Sequence, residues 1–526
     1  MVSWKHGAGS PAEEVGDRTH LLHQSERLNE AMADLGDSRK MLEETNEIGT
    51  NVMSKLLSQR EAIIRSTHYA EETGALQRET RSILRAESWS DFYTKAAICR
   101  GGKGTRKMGE ERSTCTYDNE LSKRFRMVGV PYANQYFTLS AEKLESLRPC
   151  FRAAIERRWP EAIAESNGDE DDSRRYVHVK AIKDAKARCV IIGALFKDMK
   201  LRPSPLEEYS EEVQLKQKLV AKYASEDDRL FIEDQSIRMG IRGTLLNPQK
   251  FVTGLIIALK GIINDQGEFD CEDYLLPGPP LSIPLPPSSG EKYLALVSGL
   301  GIADVGSSHN ALLLLKHFLM GNTPLTNLSS KVARLVVAGN GIGKCDVTSL
   351  VDCDVYISQL AATLPVDLMP GDADPSNRNL PQQPIHPCFF EHSKRYGTFQ
   401  STTNPHFFSV DGVRFLGTSG QAVKGMCDFS ELTELEALEL TVKSRCIAPT
   451  APDTLGCHPE AGGFTLAEDS EFPHVIFSGN ASQYATAIVG DSGGSPRVIC
   501  VPSFVEQPSI VLVSLATLEA TLVKLA

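Results

Sequence analysis

The sequence predicts a multidomain α+β protein with three parts: an amino-terminal coiled-coil helix, a small β-barrel and a larger α/β domain. Three observations support this prediction. Small and apolar residues recur in heptad steps across residues 17–85. Short runs of alternating apolar and polar residues follow between positions 188 and 276. After a proline-rich stretch at 277–290, apolar strands that end in glycine turns alternate with helices.

Composition limits the classes of function. A chain of 526 residues is long enough for about two to four domains, and its 41% hydrophobic and 24% charged residues are typical of a protein with a sizeable core. The net charge of −12 argues against a surface that wraps nucleic acid, because neutralising phosphates needs clustered Lys and Arg. We therefore expect protein partners, with DNA contacted only indirectly or weakly. The 12 cysteines show no CxxC pair and no metal-ligand spacing, which favours reduced thiols.

The amino-terminal helix is predicted from a seam that runs from Leu28 to Leu84 without a proline. Gln59 lies on this seam between Leu56 and Ile63, where a buried amide usually fixes register and choice of partner. Periodicity alone predicts a generic coiled-coil arm at residues 17–85. We expect residues 1–16 to be disordered and residues 86–115 to form a linker. No stretch of the sequence is apolar enough to predict a membrane span.

Local sequence in this helix carries a resemblance. The run SERLNEAMADLGDSRKMLEETNEIGTNVMSKLLSQREAI resembles the SNARE motif of Vti-type Qb-SNAREs, and Gln59 falls at that family's ionic-layer position. The resemblance implies helical SNARE partners and a central-layer role for Gln59. A basic, glycine-rich segment follows Leu84 where that family has a transmembrane anchor, so the helix is not expected to pull membranes together. The arrangement favours a fusion of two genes, either in the protein or only in its predicted coding sequence.

In the middle of the chain, residues 116–174 are predicted to begin extended and then to form a helix. One face of this helix carries the apolar residues Leu144, Leu147, Phe151 and Ile155. Strand-like runs lie at residues 188–196, 230–239, 251–260 and 267–276. They indicate a curved antiparallel barrel over residues 175–276, for which an OB fold is the natural candidate. The aromatic residues are few and acidic clusters surround them, which favours a protein-scaffolding barrel over a nucleic-acid reader.

Residues 291–526, after the stiff linker at 277–290, are predicted to form a buried α/β sheet with loops at the carboxyl ends of its strands. Predicted strands lie at 293–300, 332–338, 364–368, 396–403 and 410–416, and predicted helices at 310–320 and 355–363. A strand that ends in a Gly-Asp or Gly-Asn turn is typical of α/β metallophosphoesterases. The loops at these strand ends are therefore the candidate functional site.

Two-metal phosphoester hydrolysis needs carboxylates and imidazoles from several strand ends, in the calcineurin-like order D-x-H, G-D-x-x-D/N, G-N-H-D/E and G-H-x-H. This chain departs from that pattern at all four turns. The corresponding residues are Gly299 and Gly301 at the first turn, Asn340 at the second, Asp372, Ala373 and Asp374 at the third, and Asn480 and Ser482 at the fourth. We therefore predict an inactive phosphodiesterase-like domain that has no catalytic residue and holds neither metal nor cofactor. Five histidines lie nearby and are expected to serve in loops or packing: His386, His392, His406, His458 and His474.

Long motifs in residues 116–526 carry a second resemblance. LVSGLGI, PVDLMPGDADPSN, LPQQPIHPC, TNPHFFSVDGVRFLGTSGQ and PHVIFSGN, with CVIIGALFKDMKLRPS upstream, resemble the family of DNA polymerase delta small (second, or B) subunits. The resemblance implies an OB domain packed on an inactive phosphodiesterase-like domain. It further implies a nuclear scaffold for DNA replication and repair that binds the cysteine-rich C-terminal region of the catalytic subunit and a third subunit. The segment at 339–358 is shorter than in that family.

Two alternative functions remain from the sequence alone. An active metallophosphoesterase would need metal ligands that the four turns lack. A SNARE-type membrane-fusion protein would need an anchor for its amino-terminal helix.

Overall fold

The computed structural model describes residues 112–127, 129, 135–160, 188–202, 222–234, 237–287, 290–304, 309–344, 347–459, 464–490 and 494–525. These residues belong to one compact unit. The predicted coiled-coil helix at residues 17–85, with Gln59, lies outside the described residues. Within the described ranges, no helix combines the length and the apolar character needed to cross a bilayer.

The regular elements are as follows in chain order. The strands are β1 (Tyr117–Asp118), β2 (Cys189–Asp198), β3 (Arg229–Glu233), β4 (Arg238–Arg242), β5 (Ile256–Ile263), β6 (Phe269–Leu275), β7 (Tyr293–Val297), β8 (Val332–Ala338), β9 (Val366–Met369), β10 (Phe399–Ser401), β11 (His406–Val410), β12 (Val413–Thr418), β13 (Val475–Ala481), β14 (Ala485–Ile488), β15 (Arg497–Pro502), β16 (Ser509–Ser514) and β17 (Ala520–Lys524). The α-helices are α1 (Tyr136–Arg158), α2 (His309–Leu319), α3 (Thr326–Ser329), α4 (Val347–Ala361), α5 (Gln421–Asp428) and α6 (Glu434–Ser444). Single 3-10 turns lie at Glu120–Phe125, Pro248–Lys250, Pro387–Phe389 and Ser393–Arg395.

Strands β2 to β6 close into a barrel in the order β2-β3-β4-β6-β5. All neighbouring pairs are antiparallel except β4 and β6, which run parallel. Ile191, Ile232 and Leu259 are fully buried in the core that fills the barrel. The prediction of one strand at residues 230–239 was wrong. Two strands, β3 and β4, occupy this range, because Asp234 and Ile237 hydrogen-bond to each other across a reversal of the chain.

The remaining strands form a sandwich of two six-stranded mixed sheets. The first sheet has the order β1-β11-β12-β13-β15-β14, and the second has the order β10-β9-β8-β7-β16-β17. The buried core between the sheets includes Val336 and Val511 from the second sheet and Phe408, Phe415 and Phe477 from the first. Helices α2 and α4 cover the outer face of the second sheet, and α5 and α6 cover that of the first. The sandwich therefore has four layers: helices, sheet, sheet and helices.

One predicted strand of the sandwich was wrong. The run at 410–416 contains a hairpin turn at Asp411 and Gly412, both of which have positive φ angles (49° and 82°). Strand β11 therefore ends at Val410, and β12 begins at Val413 and pairs with it in the antiparallel direction. An Asp-Gly pair between apolar runs is a hairpin signal in the sequence, because both residues tolerate left-handed backbone.

The segment before the barrel connects the barrel to the sandwich. Strand β1 pairs with β11 at the edge of the first sheet, and Arg112 donates to the carbonyls of Leu319 and Val332 beside the second. Helix α1 packs on the barrel through a cluster that includes Leu147 and Phe151. Its Leu139 packs against the loops of the sandwich. Residues 112–127 and 136–158 thus contact both β-structures and hold them together.

Candidate functional site

The four turns singled out in the sequence follow β7, β8, β9 and β13. Strands β7, β8 and β9 are parallel neighbours, so their carboxyl ends lie at the same edge of the second sheet. Gly299 N donates to Gly339 O at 2.9 Å, and Gly301 N donates to Asn340 O at 3.0 Å, which joins the first and second turns. Asn480 N donates to Ser298 Oγ at 2.8 Å and brings in the fourth turn from the first sheet. The fold therefore gathers these turns at one end of the sandwich.

The second and third turns are joined through Asn340. This residue adopts a left-handed backbone with a φ of 52°, a conformation that asparagine tolerates better than most residues. Its Oδ1 accepts a hydrogen bond from Ala373 N at 2.9 Å. The side chain of Asn340 therefore holds the backbone of the neighbouring turn.

Asp374 is the buried carboxylate of the third turn, with 6% of its surface exposed. Its Oδ1 accepts hydrogen bonds from Ile342 N and Gly343 N, each at 2.9 Å. Its Oδ2 accepts from Gly341 N at 3.2 Å and from Gly371 N at 2.9 Å. Burial raises the pKa of Asp374 above its ordinary value, and the backbone donors act in the opposite direction. Both oxygens are thus occupied by backbone groups.

The other side chains of the third turn offer little to a metal. Ala373 has no polar atom on its side chain, and Asp372 is exposed to solvent. Within the part of the chain that the structure describes, no three His, Cys, Asp or Glu side chains lie close enough together to hold a metal ion.

The two residues of the fourth turn point in different directions. Asn480 has a left-handed backbone with a φ of 54°, and its Nδ2 donates to Ser419 O at 2.8 Å inside the site. Ser482 lies outside the site, because its backbone N and its Oγ both donate to the carboxylate of Glu434 at the start of α6, at 3.0 and 2.9 Å. The structure therefore brings Asn480 to the other turns and directs Ser482 away from them.

Sequence reasoning missed an amide cluster beside the third turn. Asn404 Nδ2 lies 2.8, 2.6 and 3.0 Å from Gln382 Oε1, Ser419 Oγ and Gln421 Oε1, and its two hydrogens are shared among these three oxygens. Gln421 Nε2 donates to the same Gln382 Oε1 at 2.9 Å, and Gln382 Nε2 reaches Gly371 O at 3.1 Å. The four side chains bond one another and the third turn, so they close this side of the site with neutral groups. The signal in the sequence was a set of polar residues in three loops, LPQQ, TNP and TSGQ.

Two of the nearby histidines use both ring nitrogens in hydrogen bonds within the fold. His406 is buried between the sheets, where Nδ1 bonds Ser122 Oγ at 2.9 Å and Nε2 bonds the Tyr117 hydroxyl at 3.2 Å. His474 accepts from Arg414 N at 2.9 Å through Nδ1 and lies 3.1 Å from Pro284 O through Nε2, so its Nε2 carries the proton. Burial lowers the pKa of His474. The exposed pair His386 and His392 and the half-buried His458 lie in loops outside the four turns.

Comparisons with known proteins give consistent matches. Residues 135–274 match the family model of the DNA polymerase delta subunit OB-fold domain, and residues 294–487 match that of the DNA polymerase alpha/epsilon B subunit. The DNA polymerase delta small subunit of Oryza sativa subsp. japonica is 35% identical over 436 residues, which cover 78% of this chain and 97% of that protein. The small subunit of Arabidopsis thaliana is 39% identical over 356 residues, or 63% of this chain and 80% of that protein. DNA polymerase delta subunit 2 of Drosophila melanogaster is 33% identical over 431 residues, or 77% and 96%.

Proposed function

The chain belongs to the DNA polymerase delta small-subunit family and is an accessory subunit of that polymerase; we propose that it is non-catalytic and bridges the catalytic and third subunits in DNA replication and repair. The observation that carries this proposal is the similarity to the rice small subunit over 97% of its length. A similarity of this extent covers a whole protein and not one shared domain. The proposed place of action is the nucleus, where replication occurs.

The site at the strand ends supports a non-catalytic role. We propose that the four-layered sandwich is a calcineurin-like phosphodiesterase domain whose turns have lost their ligands. Gly299 and Gly301 have no side chain to offer, Asn340 replaces a carboxylate with an amide, and Asp374 gives both of its oxygens to backbone donors. Two-metal chemistry requires carboxylates and imidazoles that are free to face the cations.

The barrel surface supports protein partners over direct DNA binding. Several of its arginines bond carboxylates, among them Arg188 with Glu272 at 3.2 Å and Arg238 with Glu233 at 2.7 Å. Carboxylates beside these guanidinium groups repel a phosphate backbone, which needs clustered and unopposed positive charge. We propose the cysteine-rich C-terminal region of the catalytic subunit and the third subunit as the protein partners, and only indirect or weak contact with DNA.

The alternatives have less support. An active metallophosphoesterase would need free ligands at the four turns. The polar side chains of Asn340, Asp374, Asn480 and Ser482 instead bond other parts of the chain. The SNARE hypothesis rests on residues 17–85, including Gln59, which lie outside the described residues.

The decisive experiment is affinity purification of the tagged full chain from nuclear and membrane fractions, followed by mass spectrometry. We expect the catalytic and third subunits of DNA polymerase delta in the nuclear eluate. An eluate that contains other SNARE proteins and no polymerase subunit would refute the proposal. Metal analysis of the same protein and an assay for phosphodiester hydrolysis test the enzyme alternative, and both are expected to give background values.

A further inference from the structure

We propose that the Asp374 carboxylate is an internal anion that fills an anion-binding turn, Gly341 to Gly343, and thereby closes this turn to small oxyanions from solution. The proposal deepens, and rests on, the proposed non-catalytic role of the strand-end site. It assigns to Asp374 the position that a bound carboxylate, or another small oxyanion, would take in an open turn.

Four backbone amides surround the carboxylate of Asp374. Three consecutive backbone amides, those of Gly341, Ile342 and Gly343, converge on one carboxylate at 3.2, 2.9 and 2.9 Å. Gly371 N adds a fourth donor at 2.9 Å from the opposite turn. Successive N–H groups that point into one concavity form an anion-binding nest. The nest here is complete, and its anion comes from the chain itself.

The number of backbone N–H donors around Asp374 indicates that its carboxyl group is ionised. Each oxygen of Asp374 accepts two hydrogen bonds, so the four lone-pair positions of the carboxylate are all in use. A protonated carboxyl group would have to place its own hydrogen against one of these N–H donors. The turn is therefore shaped for an anion and not for a neutral acid or an amide.

The backbone conformation at residues 339–343 also directs N–H groups towards Asp374. Gly339, Asn340 and Gly343 have positive φ angles of 83°, 52° and 85°, and this left-handed backbone turns the following N–H groups inward. The next amide along the chain, Lys344 N, donates to a second carboxylate, Asp304 Oδ1, at 2.9 Å. Four consecutive amides thus face two carboxylates. A Cβ atom at Gly343 would lie 2.7 Å from either oxygen of Asp304, so this close arrangement requires glycine.

The test removes the internal anion and offers a small one in its place. In the Asp374→Gly variant of the full chain, we expect the melting temperature to fall and then to recover in part with added formate. Sodium chloride at equal ionic strength should not reproduce this recovery. Formate is the suitable probe because it is the smallest carboxylate and matches the group that the substitution deletes. Inorganic phosphate provides a second arm, which asks whether the opened turn admits a larger oxyanion.

The matched control is Asp372→Gly, which removes an exposed carboxylate two residues away and changes the net charge equally. This variant and the unmodified protein should respond to formate no more than to chloride. An equal formate response in all three proteins would overturn the proposal.

A second pair of variants covers the case in which Asp374→Gly does not fold. Asp374→Asn keeps the shape of the side chain but places an NH₂ group against N–H donors. We expect it to melt about 3 °C or more below Asp372→Asn. Equal melting temperatures would contradict the proposal. Capture of polymerase subunits by these variants is a separate readout, so a failure of the proposed function is distinguishable from a failure of the internal-anion proposal.

Discussion

Arg334 and Asp367, on the parallel strands β8 and β9, form a bidentate ion pair that is buried between the two sheets. Arg334 Nε donates to Asp367 Oδ2 at 2.6 Å, and Nη2 donates to Oδ1 at 2.8 Å. The guanidinium carbon lies 3.4 Å from the centre of the Tyr117 ring, and the Tyr117 hydroxyl bonds His406. Burial acts to raise the pKa of Asp367, but the two hydrogen bonds from Arg334 and the positive charge of its guanidinium group hold this pKa below its ordinary value. Through its contact with Tyr117 on β1, the ion pair of the second sheet therefore connects to the first sheet.

Replacing Arg334 with methionine is expected to destabilise the sandwich by about 3–5 kcal/mol, because the substitution leaves the buried carboxylate of Asp367 without its partner. Chemical denaturation of the two proteins measures the difference. The control is Lys331→Met, which removes an exposed ion pair with Glu291 and should cost about 0–1 kcal/mol. Equal losses of stability in the two variants would contradict a special role for the buried pair.

Replacing Lys143 with methionine is expected to loosen helix α1 from the sandwich. Lys143 is buried, and its Nζ donates to the carbonyls of Ala448, Pro449 and Ala451 at 3.2, 3.3 and 2.5 Å. Methionine keeps the apolar stem but leaves these carbonyls without their donor, at a cost of about 1–3 kcal/mol. Hydrogen exchange of the α1 amides should become faster in this variant. It should not change in Lys123→Met, where the lost pair with Glu120 is exposed.

Helices and strands of the sandwich were predictable where the sequence contains a continuous run of apolar residues. The apolar run at 332–338 predicted a strand, and β8 has the same bounds, Val332–Ala338, because a strand buried on both faces is apolar throughout. The predicted helix at 310–320 corresponds to α2, which is shifted by one residue. The apolar pattern lies within the element itself, so a single sequence is sufficient to locate such elements.

The bonds of the site were not predictable, because they join turns that lie far apart in the sequence. Asp374 is 31 to 33 residues from the amides of the turn that it fills, and Asn404 is 22 residues from Gln382. The side-chain types at these positions indicated that metal ligands were missing. They did not indicate that Asp374 would turn inward while Asp372 remains exposed. That choice depends on the backbone of the neighbouring turn, which is formed only in the folded sandwich.

Glu436 is expected to make stability depend on pH in the acid range. It completes a capping box with Thr433 at the start of α6 and bonds Lys250 of the barrel at 3.1 Å. The Thr433 amide, followed by Lys250, lowers the pKa of Glu436 to about 2 from its ordinary value of 4.5. A carboxyl group whose pKa is lower in the folded state than in the unfolded state stabilises the fold at pH values above its unfolded-state pKa. This contribution is lost as the pH falls from 4.5 towards 2.

The variant Glu436→Gln tests this expectation. It should be less stable than the unmodified protein at pH 7, and the difference should shrink between pH 4.5 and 2. Urea denaturation across this pH range measures both effects. The control is Glu439→Gln on the same helix, where the carboxylate pairs with the exposed Lys443 at 2.8 Å. A pH profile of Glu436→Gln that runs parallel to that of the unmodified protein would show that the capping carboxylate does not contribute.

Adding a side chain at Gly299 in the first turn is expected to destabilise the fold. At Gly299 the φ angle is 59°, and a Cβ atom would lie 2.5 Å from Ser503 Oγ and 2.7 Å from Asn480 Oδ1. Gly299→Ala should therefore cost about 2–5 kcal/mol, from left-handed strain together with overpacking. Gly397→Ala is the matched control, because a Cβ atom there has no neighbour within 4 Å. Thermal denaturation compares the two variants. If Gly299→Ala is as stable as Gly397→Ala, the first turn has room for a side chain at this position, and the packing argument for glycine is wrong.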